Sequence, residues 1–307
     1  MAVAFIFPGQ GSQYSGMGKE IYEAFKEARE VFEEASEGAK IDIAKLCFEA
    51  PESELTLTYN AQPAIFTVSM AILRVLESAG FSENPIVVAG HSLGEFSAAC
   101  SAGVFSVKDG ALLVRKRGEF MQEAVPAGVG GMTAVIGLPA EKIEEVLKEV
   151  KNGFVQVANY NSPEQTVISG EVKALEEAEE KLQKAGAKRV VRLAVSAPFH
   201  SELMKPAAEK LKELMEGIEF KEAKTPLLNN ADVKVLREPQ EIKDSFYRQV
   251  FSPVRWVEDV LKMKEMGVDT IYEIGPKNVL KGLIRRIDRK LKVVNIEKPQ
   301  DIEKVVS

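Results

Sequence analysis

Short apolar runs closed by turn-forming residues alternate along the chain with stretches whose apolar positions recur every three to four residues. Val3 to Phe7 is followed by helical spacing from Gly18 to Ala35, Ile86 to Ala89 by a helix starting at Leu93, and Thr270 to Ile274 by Val279 to Arg289. Brief continuous apolar runs bounded by Gly and Pro predict buried strands, and the 3.6-residue period predicts helices. Their alternation predicts an α/β fold with a mainly parallel sheet, because parallel strands need a crossover and a helix supplies it.

The middle of the chain has another rhythm. After Gly128, Gly130 and Gly131 come a strand (Met132 to Ile136), a helix (Ala140 to Val150), two strands (Phe154 to Ala158 and Thr166 to Ser169), a helix (Val172 to Ala185) and a strand (Arg189 to Leu193). That βαββαβ order predicts a ferredoxin-like α+β unit inserted into the larger sheet. The expected division is a core of residues 1–126 and 199–307 around a small subdomain of residues 127–198, with Ala197-Pro198 marking the return.

Composition narrows the function. With 307 residues and 45% hydrophobic content, the chain can bury a sizeable core. Its 40 Lys and Arg against 46 Asp and Glu give a net charge of -6, which argues against a general nucleic-acid binder. The opening MAVAFIFPGQ lacks a basic leader and is too short for a membrane span, so a cytoplasmic address is expected, without membrane contact. Cys47 and Cys100 are far apart and form no CxxC pair, which points to reduced core residues rather than a disulfide or metal site. No repeat or low-complexity tract interrupts the chain.

Gly90-His91-Ser92-Leu93-Gly94 matches G-x-S-x-G, the turn that lifts a serine hydroxyl above a sheet. The pattern alone carries little. Here the β-branched run Ile86-Val87-Val88 precedes it and a helix-compatible stretch follows, which is the strand–turn–helix context it requires. Ser92 is the candidate nucleophile, and the Leu93 N–H at the helix start is a candidate oxyanion donor. An alcohol needs a base, usually histidine, and the chain has two. His91 adjoins the serine on the same turn, where neighbouring side chains diverge, and is expected to pack beneath the elbow. His200, in Ser196-Ala197-Pro198-Phe199-His200-Ser201, is left as the base.

Two further features bear on substrate. On a helix from Ala111 to Val125, Arg117 falls in the stripe formed by Leu113, Val114, Phe120, Met121 and Ala124. A buried guanidinium needs an anion, either an internal acid or a ligand such as a carboxylate-bearing acyl group. The loop Pro8-Gly9-Gln10-Gly11-Ser12-Gln13 is neither a dinucleotide fingerprint nor a Walker loop. Its Gly-flanked backbone lets Gln10 offer a second oxyanion N–H or simply turn the chain into a helix.

These residues resemble one family, the malonyl-CoA:acyl carrier protein transacylases and the related acyltransferase domains of polyketide synthases. The resemblance spans nearly the whole chain through Phe7 to Gln13, Gln62-Pro63-Ala64, Gly90 to Glu95, Arg117, Asn159 to Pro163, Pro198-Phe199-His200, and Gln249 ahead of Ser252-Pro253-Val254. It implies a hydrolase-like α/β core with the ferredoxin-like insert. It further implies malonyl transfer by a ping-pong route through a malonyl-Ser92 ester, with His200 oriented by a main-chain carbonyl at Gln249 and the oxyanion held by Gln10 and Leu93. Arg117 then corresponds to the residue pairing with the malonyl carboxylate. Gln62, His91, Asn161 and Phe199 belong to the pocket, and Phe199 resembles malonyl-selective members. The implied partners are a coenzyme A thioester and acyl carrier protein, with no metal or other cofactor and the chain acting as a monomer. An acidic carrier calls for a basic surface, for which Lys188, Arg189, Arg285, Arg286 and Lys290 are candidates. A serine thioesterase or hydrolase, or an acyltransferase for another acyl-CoA, would use the same elbow.

Overall fold

The computed structural model describes residues 2–195 and 197–306, so Ser196 of the histidine loop lies outside it. In chain order the elements are β1 (Ala2–Phe7), α1 (Lys19–Ala24), α2 (Lys26–Ala39), α3 (Ile43–Glu49), α4 (Glu52–Leu55), α5 (Thr58–Ser78), β2 (Pro85–Gly90), α6 (Leu93–Ser101) and α7 (Val107–Glu123). There follow β3 (Gly130–Ile136), α8 (Ala140–Leu147), β4 (Val155–Ser162), β5 (Gln165–Glu171), α9 (Val172–Lys184) and β6 (Arg189–Arg192). The chain closes with α10 (Lys205–Glu216), β7 (Leu227–Leu228), β8 (Val235–Leu236), α11 (Pro239–Gln249), α12 (Trp256–Glu265), β9 (Val268–Ile274), α13 (Val279–Ile287), β10 (Lys292–Ile296) and α14 (Pro299–Val306).

Six strands form one sheet in the order β10-β9-β1-β2-β7-β8, parallel from β10 to β7 with β8 antiparallel at the edge. Phe7 is in register with Gly90, so the loops leaving β1 and β2 emerge side by side at the carboxyl end of the sheet. That edge is where open parallel sheets place ligands, because the crossovers keep it free of returning strands. The second sheet runs β4-β5-β3-β6 and is antiparallel throughout, the pairing order of a ferredoxin-like unit. It has an apolar cluster of its own, in which Val135, Ile143, Val157, Ile168, Leu175 and Leu182 are buried.

The sheets meet at one seam. Tyr160 N–H donates to Val254 O at 2.9 Å and Val254 N–H to Ala158 O at 2.8 Å, tying β4 to the segment after α11. The Gln156 amide of β4 donates to His200 O at 3.1 Å and accepts from Glu202 N–H at 3.1 Å. The histidine loop is therefore fastened to the small sheet.

Several expected elements differ. The single helix over 18–35 is two, α1 and α2, because Phe25 adopts an extended backbone (φ -127°, ψ 132°) between them. The helix carrying Arg117 begins at Val107 rather than Ala111, capped by Ser106, which accepts from Asp109 N–H. Gly130 and Gly131 lie inside β3, and only Gly128 takes a left-handed turn conformation (φ 82°). Cys47 is buried as expected, and Cys100 is partly buried against the same core cluster.

Candidate active site

β2 ends at Gly90, α6 begins at Leu93, and Ser92 between them is held at φ 51°, ψ -107°. A β-carbon rarely tolerates that conformation, so the surroundings must impose it. They do so by contact: a methyl on Gly90 would lie 2.0 Å from the Gly94 carbonyl, and one on Gly94 would lie 2.0 Å from Phe7 O. Both glycines are required because strand, turn and helix pass within backbone contact of one another. Ser92 N–H is satisfied by the Asn230 side-chain carbonyl at 2.8 Å.

His200 shares the left-handed backbone conformation (φ 54°) and is buried. Its Nε2 is 2.7 Å from Ser92 Oγ, and its Nδ1 is 3.0 Å from Gln249 O. A carbonyl only accepts, so Nδ1 carries the proton and the Nε2 lone pair faces the serine hydroxyl. Burial, then the positive charge of Arg117, push the imidazole down to about 3, while the Gln249 and Ser252 backbone groups act in the opposite direction. The imidazole is neutral at rest.

Arg117 is 1% exposed, yet no carboxylate pairs with it among the described residues. Nη1 donates to Gln62 Oε1 at 2.6 Å, and Nη2 donates to Gln249 Oε1 at 2.8 Å and to Ser92 Oγ at 3.2 Å. Nε is buried without a hydrogen-bond partner among the described residues, and the guanidinium lies 5.2 Å from the Phe96 ring centre. Of the two alternatives read from the sequence, the internal ion pair is thus not formed. The nearest buried acid, Glu95, is reached only through the Gln249 amide, whose Nε2 donates to Glu95 Oε2 at 2.9 Å. Burial lowers Arg117 to about 10, which leaves it cationic at neutral pH, and lifts Glu95 to about 7.

Two helices bring the guanidinium here. Pro63 lacks the N–H that would bond Tyr59 O inside α5, and Arg115 of α7 donates to that carbonyl at 2.8 Å instead. One residue beyond Arg117, Gly118 lets the helices close up, since a methyl there would lie 2.5 Å from Tyr59 Cα. A relay then runs along α5: Gln62 Nε2 donates to Thr58 Oγ1 at 2.9 Å, and Thr58 donates to Gln10 Oε1 at 2.8 Å. The arginine is thereby linked to the loop after β1. The backbone N–H groups of Gln10 and Leu93 make no backbone hydrogen bond among the described residues.

A cavity of ≈ 130 Å³ is lined by Gln10, Gln62, Ser92, Leu93, Arg117 and His200, together with Phe199, His91 and apolar groups. His91 is at the cavity wall, partly buried, rather than beneath the elbow, and its Nε2 is 2.7 Å from Asn161 Oδ1. Gln249 lies behind the cavity, fully buried. Met121, Met132, Asn159, Leu193 and Val195 also line the cavity, and the sequence reading assigned none of them to the pocket. Met121 lies on the same apolar stripe as Arg117, and this placement was the available signal.

A second groove of ≈ 460 Å³ runs from Gln10 and His91 past Asn161 and Gln165 to Arg286 on α13. Gln165 is in register with Ile136, and Ile136 with Arg189, so Arg189 lies two strands from the wall of that groove. Lys188, Arg189, Arg285, Arg286 and Lys290 are exposed, and none forms an ion pair among the described residues. No described helix is long and apolar enough to cross a membrane, and no cluster of three or more metal-ligating side chains occurs among the described residues.

The sequence matches the family described as acyl transferase domain over residues 4–299. It is 48% identical over 303 residues to the malonyl CoA-acyl carrier protein transacylase of Bacillus subtilis, covering 98% of this chain and 95% of that protein. It is 43% identical over 285 residues to the enzyme of the same name from Escherichia coli, covering 92% of each. Among solved structures it matches a malonyl-transacylase in complex with a type II PKS acyl-carrier protein, at TM-score 0.97 and 43% identity over 100% of this chain and 99% of that one. It also matches the malonyl CoA-acyl carrier protein transacylase of Coxiella burnetii, at TM-score 0.97 and 39% identity over 100% and 97% of the two chains.

Proposed function

The chain belongs to the acyl transferase domain family, and from that premise we propose that it transfers malonyl groups from malonyl-CoA to acyl carrier protein in fatty acid synthesis through an ester on Ser92. The observation that carries this reading is that one hydroxyl, Ser92 Oγ, lies within hydrogen-bond reach of both His200 Nε2 and Arg117 Nη2. Malonyl has a single methylene between its thioester carbonyl and its carboxylate. A group that recognises the carboxylate must therefore stand beside the nucleophile, as Arg117 does. A longer diacid would need its cation farther away.

In the proposed first half-reaction His200 Nε2 takes the Ser92 proton as Oγ attacks the thioester carbonyl. The oxyanion is received by the N–H of Gln10 in the loop after β1 and the N–H of Leu93 at the start of α6. Collapse expels coenzyme A, which leaves as the thiol with the proton from His200. The phosphopantetheine thiol of the carrier then attacks the ester, gives its proton to His200, and the serine regains it. Only protons and one acyl group move, so the cycle calls for no metal or redox group. Imidazolium formed in each half-reaction is steadied by the Gln249 carbonyl, and no acid is needed behind the histidine.

In this account residues 1–126 and 199–307 carry the nucleophile, base and arginine, and residues 127–198 shape the approach for the pantetheine arm. Gln62 holds Arg117, while Phe199, His91 and Asn161 wall the pocket. Lys188, Arg189, Arg285, Arg286 and Lys290 meet the acidic carrier. The enzyme works as a cytoplasmic monomer and has no nucleic-acid partner. Steady-state kinetics against both substrates test the scheme. Parallel double-reciprocal lines are expected, with Ser92→Ala and His200→Ala each lowering turnover by about three decades or more. Intersecting lines would require direct transfer without the ester and would overturn the scheme.

A further inference from the structure

Four fully buried polar side chains, Glu95, Asn230, Gln249 and Asp259, meet behind the elbow, and none lines the catalytic cavity. Asn230 is the one that holds the nucleophile's N–H. Its Nδ2 donates to Gly90 O at 2.8 Å and to Asp259 Oδ2 at 2.9 Å, and its Oδ1 accepts from Ser92 N–H at 2.8 Å. Its own N–H donates to Glu95 Oε2 at 3.0 Å. Acceptors on the nitrogen side and a donor on the oxygen side leave the amide one orientation. Gln249 is fixed in the same way: Oε1 accepts from Arg117, and Nε2 donates to Glu95 Oε2 and to Ser92 O at 2.9 Å each. The Ser92 residue is thus gripped at its N–H by Asn230 and at its carbonyl by Gln249.

We propose that Asn230 is a positioning residue for acyl transfer: braced by Asp259 and Glu95, it holds the strained Ser92 backbone so that Oγ stays between His200 Nε2 and Arg117 Nη2. The proposal rests on Ser92 being the nucleophile. Left-handed geometry at a serine relaxes unless its surroundings over-determine it. Rotation about φ swings Oγ on the lever of the Cα–Cβ bond, and a displacement of about 1 Å costs roughly 100-fold in rate. Substrate binding is not made by Asn230, because the side chain does not reach the cavity. Its loss therefore falls on the chemical step and not on affinity.

The brace works as a hydrogen-bond acceptor. Burial, with the nearby Glu95 and Glu258 charges, pushes the Asp259 carboxyl well above the usual carboxylate range, while the Asn230 hydrogen bond and Arg255 act against this. Its second oxygen, Oδ1, is buried without a hydrogen-bond partner among the described residues. An asparagine at 259 supplies the same acceptor to Asn230 Nδ2, whereas alanine removes it and frees the amide to turn.

The test is single-turnover acylation by malonyl-CoA, followed by intact mass so that the rate constant reports only competent molecules. For Asn230→Ala the rate constant is expected to fall roughly 100-fold, with the half-saturating malonyl-CoA concentration within about threefold of wild type. Asp259→Ala is expected to fall at least tenfold, and Asp259→Asn to recover most of that loss. If Asn230→Ala does not fold, the Asp259 pair decides. An Asn230→Ala enzyme that acylates at the wild-type rate overturns the proposal, and so does an Asp259→Asn enzyme as slow as Asp259→Ala. Ser92→Ala is run alongside: a persistent adduct there would break the nucleophile reading itself.

Discussion

At the scale of single residues, the proposed scheme has the arginine decide what is transferred and the histidine decide when. Arg117 is buried against neutral amides, with no carboxylate in direct contact among the described residues. A malonyl carboxylate completes its shell and an acetyl group does not. Leaving a buried charge unpaired costs roughly 3–5 kcal/mol, or about two to three decades of discrimination. Arg117→Ala should therefore raise acetyl transfer relative to malonyl transfer, measured as the ratio of kcat/KM for the two thioesters; an unchanged ratio would refute the assignment. The same charge helps hold His200 low, at about 3, after burial. With a depressed base, transfer should persist as pH falls through the ordinary histidine range. In Arg117→Ala the acid limb of kcat/KM for acetyl-CoA should move to higher pH, because the largest cause of the depression after burial is gone. Stability follows the same sign: the unfolded chain takes up a proton near 6.5 that the buried imidazole refuses until about 3, so this group's contribution is lost as pH falls through that window. The chemistry-bearing residues were legible because an elbow, a lone available histidine and a charged residue on an apolar stripe are each anomalies in a local pattern. Asn230 and Asp259 were not. They act through contacts to residues far along the chain, and a lone Asn or Asp carries no local signal.

At the scale of elements, the elbow depends on two close backbone approaches, Gly90 to Gly94 and Gly94 to Phe7. Gly94→Ala would place a methyl 2.0 Å from Phe7 O, between α6 and β1, where backbone cannot yield. Overpacking of this kind costs about 1–3 kcal/mol, read as a lowered denaturant midpoint at unchanged slope. A midpoint unchanged from wild type would mean that the helix does not pack on β1 as described. Strand–helix alternation was readable from periodicity, and the βαββαβ order of the small sheet was readable from its turn spacing. The break at Phe25 was not, since Phe25 is apolar and continues the helical spacing across the joint between α1 and α2. The role of α5 was hidden as well. Seventeen of its 21 residues are buried, so it shows no polar face to set a period, and a helix buried all round reads poorly against that template.

At the scale of the whole molecule, the two sheets divide the work: the parallel one presents the nucleophile at its carboxyl edge, and the antiparallel one clasps the histidine loop through Gln156. Net charge does not reveal the proposed carrier surface, because the chain is acidic overall while Arg286 lines the groove and Arg189 lies two strands from its wall. Reversing charge at Arg189 and Arg286 should weaken carrier-dependent transfer far more than hydrolysis of malonyl-CoA, and the loss should shrink as salt is raised. Equal losses in both reactions would count against docking there. The most direct measurement on the central claim is intact mass after mixing the enzyme with malonyl-CoA alone, followed by addition of phosphopantetheinylated carrier protein. The account predicts one malonyl adduct, mapped by peptide mass to Ser92, absent in Ser92→Ala and discharged by the carrier. An enzyme that turns over malonyl-CoA and carrier protein with no adduct, or with an adduct on another residue, would contradict it.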